Sequence, residues 1–174
     1  MTSQNERAVA EPIAPARGGS VSIHRVARWF INNAVYYTGE PITRAKLQKL
    51  VYYAQAWYLA NFDSPLFPDD FEAWAHGPVN LKLRRKYRDW EPLEGERGPV
   101  PSEEVCVFLG LVYDEYGRYS AKMLEDMTHE AKPWKEARGD ISPIAASSEK
   151  ISKLTMRNFY AKRLGREAIE ALVE

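Results

Sequence analysis

Cysteine is almost missing from this chain. Cys106 is the only one, so no disulfide can close within the chain and no multi-thiolate metal site can be built. An excess of charge is missing too. Lys plus Arg and Asp plus Glu number 24 each, which removes the global basic charge of a protein that binds chiefly through phosphates; nucleic acid is not an expected partner unless a local patch carries it. No stretch approaches the roughly 18 unbroken apolar residues of a membrane span, and residues 1–20 lack a basic start followed by an apolar run. Membrane insertion and secretion are therefore not expected, and a cytoplasmic location fits the lone thiol. Glycine is sparse: Gly77-Pro78, Gly117 and Gly165 form no phosphate-cradling loop, and the Rossmann and Walker spacings are absent, so no cofactor is expected. His24, His76 and His129 stand far apart, and the adjacent His129-Glu130 diverge on a helix, so no metal-ligand spacing is read from them.

What is present is an ordinary globular composition with many rings. Hydrophobic residues make up 45% and charged residues 28% of the 174, a length at which folding as one domain removes roughly 70% of the unfolded chain's surface from water. Trp, Tyr and Phe together reach 12%. Such side chains dominate cores and interface hot spots alike, and composition does not separate the two.

Periodicity predicts a mainly α, compact single-domain fold of six or seven helices with one or two short β-strands. Residues 1–20, rich in Ala, Pro, Glu and Gly, show no period and read as a flexible N-terminal arm ahead of a helical domain over 21–174. Ser22 caps a first helix carrying Ile23, Val26, Ala27, Phe30, Ile31 and Ala34, closed by Gly39. Thr43 caps a second, with Ile42 and Leu47 as a hydrophobic staple and a stripe through Leu50, Val51, Ala54, Trp57 and Tyr58. Phe71 to His76 alternates like a short strand until Gly77-Pro78 stops it. Asn80 caps a third helix, Leu81 to about Trp90, with Leu83, Tyr87 and Trp90 turned inward. Breakers from Glu91 to Pro101 predict an exposed loop. Helices follow Ser102 and Ser120, a polar loop follows Pro133-Trp134 and runs through Ser148, and a last helix begins near Thr155.

The third helix sets Lys82, Arg84, Arg85, Lys86 and Arg88 on its polar side. That face either meets phosphate or an acidic partner, with Tyr87 and Trp90 available for stacking, or is a solvated surface above core rings. A hydrolase built on His76, His129 and Glu72 requires a convergence that spacing does not reveal.

One run of blocks goes further. Leu47-Gln48-Lys49-Leu50-Val51-Tyr52-Tyr53-Ala54-Gln55-Ala56-Trp57-Tyr58 is followed by Pro65-Leu66-Phe67, then by Phe71-Glu72-Ala73-Trp74-Ala75-His76-Gly77-Pro78-Val79, and later by Thr128-His129 and Pro133-Trp134. In order and spacing these blocks resemble the Panacea antitoxin domain, over about Ile23 to Leu164. The resemblance implies a non-enzymatic helical antitoxin that binds a toxin encoded by the adjacent gene. Within the family the SocA-like branch is nearest, which implies a proteolytic adaptor handing a SocB-like toxin to ClpX of the ClpXP protease. Masking of the toxin without degradation, and DNA-binding autoregulation of the operon, are the alternatives. The family blocks and the basic helix together nominate Tyr52, Tyr53, Gln55, Trp74, His76, Arg84, Arg85, Arg88, Thr128, His129 and Trp134 as partner-binding candidates. The same blocks also read as the family's core.

Overall fold

The Ser22 hydroxyl accepts a hydrogen bond from the His24 N–H and so opens the first helix, α1 (Ile23–Thr38), which closes on Gly39 in the left-handed conformation that glycine adopts without strain. The computed structural model describes residues 21–90 and 92–173, with side chains as far as 164; the expected arm, residues 1–20, lies outside the described residues. Thr43 caps α2 (Arg44–Phe62) by accepting from Lys46 N. A two-stranded antiparallel hairpin follows, β1 (Glu72–Trp74) and β2 (Gly77–Val79). Then come α3 (Leu81–Lys86), α4 (Glu103–Tyr116), α5 (Ala121–Glu130), α6 (Lys132–Arg138) and α7 (Lys153–Val173). Among the described residues the protein is thus mainly helical, with seven helices and this one small sheet. None of these helices is long and apolar enough to cross a membrane.

Helix α2 is the axis of the molecule. It packs against α1, α4, α5, α7 and β2, and every residue from Leu47 to Ala56 is buried. The apolar stripe is joined by buried Gln48, Lys49 and Gln55, so this helix has almost no solvent side. Rings fill the space around it. Tyr53 stacks on Tyr116 with centroids 4.0 Å apart, Tyr52 meets the edge of Phe71 at 5.4 Å, and Phe30 meets Tyr113 at 5.0 Å. Tyr52 and Tyr53 are core residues, and burial drives both phenols far above their ordinary range. A partner docking on the folded surface does not reach them.

Gln55, 1% exposed, is a core residue with a specific task. Its Oε1 accepts from Leu66 N at 2.8 Å and Phe67 N at 3.4 Å, and its Nε2 donates to Phe67 O at 2.7 Å. One amide thus satisfies the backbone of the Pro65-Leu66-Phe67 turn where water is excluded.

The breaker-rich stretch after α3 is strapped down rather than loose. Leu93 bridges Ile42, donating its N–H to Ile42 O at 2.9 Å. Glu96 exchanges two backbone hydrogen bonds with the Asn32 amide and accepts from Tyr87 Oη at 2.6 Å. Arg28, buried in α1, donates to Pro99 O. Helix α3 is shorter than predicted. It ends at Lys86, so the inward progression Leu83, Tyr87 stops there, and Trp90 stands 49% exposed. A further departure is α6, which begins around Pro133 and runs into the stretch where a loop is expected; proline is favoured in a helix's first turn, where its missing N–H leaves no intrahelical bond unmade. The last helix runs unbroken through Gly165.

Gln55→Leu keeps the volume but leaves three backbone groups without partners. We expect it to lower stability by about 2–4 kcal/mol in a denaturant titration; a loss below about 1 kcal/mol contradicts this role for the amide.

Candidate functional site

The hairpin is placed by glycine. Two residues, Ala75 and His76, turn between paired Trp74 and Gly77, and Gly77 has φ 92°. A Cβ there would lie 2.8 Å from Lys49 Cε and 3.0 Å from Thr128 Oγ1, so the backbone lies directly on α2 and α5. Asn80 then fixes the exit. Its N–H donates to Gln48 Oε1 at 2.8 Å, its carbonyl accepts from Gln48 Nε2 at 3.0 Å, and its side chain caps α3 through Leu83 N at 3.0 Å while donating to Asp70 O at 2.9 Å.

Trp134 ties the hairpin to the C-terminal half. Its Nε1 donates to Trp74 O at 2.8 Å, its ring stacks on His129 with centroids 4.0 Å apart, and the Arg138 guanidinium lies 4.8 Å from its centroid. Arg138 is 3% exposed and donates to Ala73 O at 2.7 Å, to Ala145 O at 2.6 Å and to Ser142 O. Several carbonyls thus hold a buried cation whose face also meets an aromatic ring. Trp74 is half-buried; it donates to Glu72 Oε2 at 2.6 Å and carries Arg84 over its ring at 5.0 Å. His76 projects into solvent with its Nδ1 3.5 Å from Glu125 Oε1.

Thr128 is fully buried and turns its hydroxyl back to Glu125 O at 2.7 Å. Trp74, His76, Arg84, Thr128, His129 and Trp134 therefore converge around the hairpin, whereas Tyr52, Tyr53 and Gln55 lie inside. Of the converging set, Thr128 and Trp134 are buried and act by holding the hairpin; Trp74, His76, Arg84 and part of His129 reach the surface. The hydrolase residues are engaged separately: Glu72 by Trp74, His76 by Glu125, His129 by Trp134.

Two polar features of this region escape the sequence reading. Lys49 is 4% exposed in the middle of α2, with its ammonium 3.5 Å from Pro78 O. Burial lowers its pKa to about 8, and the carboxylate of Glu125 opposes that fall. The second is Glu125 with His129, four residues apart on α5, to which Asp126 adds a third donor atom within 4.8 Å. That is a metal-ligand spacing, which the adjacent pair His129-Glu130 does not show. Lys122 already compensates the two carboxylates, at 3.2 Å from Glu125 and 2.7 Å from Asp126. Burial lowers the His129 pKa, which favours the neutral ring that stacks on Trp134.

The basic side of α3 is partly neutralised within the molecule. Lys82 pairs with Asp69 at 2.5 Å and Lys86 with Glu96 at 2.5 Å. Arg84, Arg85 and Arg88 are exposed on this face along with the two lysines, and Arg88 lies 3.7 Å from its neighbour Asp89. Three arginines beside a half-buried Trp74 and an exposed Trp90 make a small cationic, aromatic surface.

These features define a helical domain whose recognition chemistry lies on its surface around a pinned hairpin. The family model for the SocA-like antitoxin, Panacea domain, matches residues 47–135, from the buried part of α2 to the residue after Trp134, half of the chain. The protein belongs to that antitoxin family. No curated protein and no solved structure matches it.

Lys49 gives the site a pH signature. The unfolded chain holds this proton up to the ordinary lysine value of 10.5, whereas the folded chain releases it near 8. Stability therefore rises with pH across that interval. We expect the wild type to gain up to about 2 kcal/mol relative to Lys49→Met between about pH 8 and about pH 9.5, a comparison in which the ionising phenols are common to both proteins. Parallel stability curves for the two proteins would show that Lys49 is not a strained buried cation.

Proposed function

We propose that this chain is an antitoxin that binds a SocB-like toxin, encoded by the adjacent gene, and works as a proteolytic adaptor that delivers it to ClpX of the ClpXP protease in the cytoplasm. The match over residues 47–135 carries this reading, because it assigns the α2, hairpin and α5 framework to an antitoxin family. The toxin-contacting surface is the hairpin and α3 face, where Trp74 and Arg84 pack together, Arg85 and Arg88 are exposed, and His76 stands in solvent beside Glu125. Arginine and tryptophan side by side are the residue types that most often dominate binding energy. Protein is favoured over DNA here because Asp69 and Glu96 neutralise Lys82 and Lys86, leaving a short cationic patch on a chain of zero net charge.

The decisive measurement is the half-life in cells of the protein encoded next door. An adaptor shortens it only when this chain and active ClpXP are both present. An unchanged or longer half-life replaces the adaptor with an antitoxin that masks its toxin.

The contact surface has its own test. Arg84→Glu, Arg85→Glu and Arg88→Glu together should weaken toxin binding by about tenfold or more and slow association most at low salt. Undiminished affinity in calorimetry would move the toxin site away from α3. Promoter DNA that binds at low salt and falls off steeply as salt rises would instead support autoregulation through the same arginines.

A further inference from the structure

Four of the exposed large apolar side chains lie on two helices that touch, α1 and α4, while Trp90, Val100, Met123, Ile144 and Leu154 stand elsewhere. Val107 and Leu111, one turn apart on α4, are 54% and 52% exposed, and Val35 and Tyr36 at the end of α1 are 61% and 84% exposed. The two helices meet closely at a glycine. A Cβ on Gly110 would lie 2.8 Å from Tyr37 Oη and 4.0 Å from the Trp29 ring, Tyr37 stacks on Tyr113 at 4.9 Å, and Tyr36 lies edge-on to Tyr37 at 5.0 Å. An apolar strip therefore runs from Val107 and Leu111 past Gly110 and the half-buried Tyr37 to Tyr36.

Both ends of α4 are acidic. Glu103 and Glu104 occupy the first turn of α4, Asp114 and Glu115 its last, and all four are exposed. Among the described residues, Arg118, 3.8 Å from Glu115, is the one cation paired with any of them. Neither the family match nor the proposed α3 site accounts for a strip of rings and aliphatics flanked on α4 by exposed carboxylates.

We propose that this face docks a basic protein segment, one that carries two or three large apolar side chains among Lys and Arg. The charge of the rim selects that occupant. A second copy pairing α4 against α4 sets carboxylates against carboxylates, and nucleic acid or an anionic membrane meets the same repulsion. A Lys/Arg-rich helix instead lays its apolar stripe over Val107, Leu111 and Tyr36 while its cations reach the rim. The site has the opposite charge preference from the arginine face on α3, and it stands whether or not the chain is an adaptor.

The test uses the full chain and a fluorescein-labelled synthetic helix of Lys and Leu, about 18 residues long with Leu at helical spacing, followed by anisotropy. The peptide should bind, and should be released as salt rises from about 0.05 M to about 0.5 M. The replaced side chains are exposed, so folding, checked by circular dichroism, should be preserved. Val107→Ser with Leu111→Ser should weaken binding about tenfold or more. Glu103→Lys, Glu104→Lys and Asp114→Lys together should weaken it to a similar degree, about tenfold, and flatten the salt dependence. A matched helix of Glu and Leu should not bind, and Arg84→Glu with Arg85→Glu should leave binding of the Lys/Leu helix undiminished. The proposal falls if the wild type does not bind the Lys/Leu helix, or if both α4 variants bind it as the wild type does. It also falls if light scattering finds a dimer that Leu111→Ser disperses, because the face then belongs to a second copy.

Discussion

A helix buried on every side has nowhere to send its polar groups except into the structures packed on it, and α2 is such a helix. Gln48, Lys49 and Gln55 are buried among its apolar residues, and each meets a backbone segment of another element. Gln48 holds the residue that leaves the hairpin and caps α3; Lys49 lies under Gly77 and Pro78; Gln55 holds the turn at Leu66 and Phe67. A buried polar group without a partner costs about 1–3 kcal/mol. Each amide of α2 therefore fixes the position of a loop, and the loops are where the surface chemistry lies.

The hairpin inherits its rigidity from that arrangement and from the far side of the chain. Three residues apiece make strands too short to be stable alone. Here β1 is held through Ala73 O by Arg138 and through Trp74 O by Trp134, while the backbone of Ala73 also donates to Glu149 O at 2.8 Å. Two halves of the sequence separated by about sixty residues are joined at this point, so a change at Trp134 or Arg138 reaches the surface around Trp74 and Arg84 without touching a partner.

Much of this was legible in advance. The caps at Ser22, Thr43, Asn80 and Ser120 accept the hydrogen bonds that their residue types suggest, and helix positions followed from them. The blocks that carry the family resemblance were legible as a pattern but not as a place. Tyr52-Tyr53 looks like an interface pair, yet α2 is enclosed all round and leaves it no path to solvent. Nothing local distinguishes these cases, since a tyrosine suits a core and an interface equally and only the packing of α7 and α4 decides. Trp90 failed in the opposite direction, because extending the spacing of Leu83 and Tyr87 presumes a helix that in fact ends at Lys86. Arg138 left no sequence signal at all: a basic residue in a polar stretch reads as solvated until three carbonyls converge on it.

The zero net charge of the chain conceals a division of charge over its surface. Glu96 and Asp69 withdraw two lysines from the basic side of α3, leaving arginines beside Trp74, while α4 keeps its carboxylates around exposed Val107 and Leu111. Charges paired within a domain contribute little to binding, whereas those left unpaired beside apolar surface steer association and select partners. Two faces of opposite sign on one rigid core favour ligands of opposite charge by electrostatics rather than by size. Each face repels the kind of ligand that the other attracts, so occupancy of one does not compete with occupancy of the other. A small domain built around one enclosed helix can therefore carry two surfaces of opposite charge on the core that separates them.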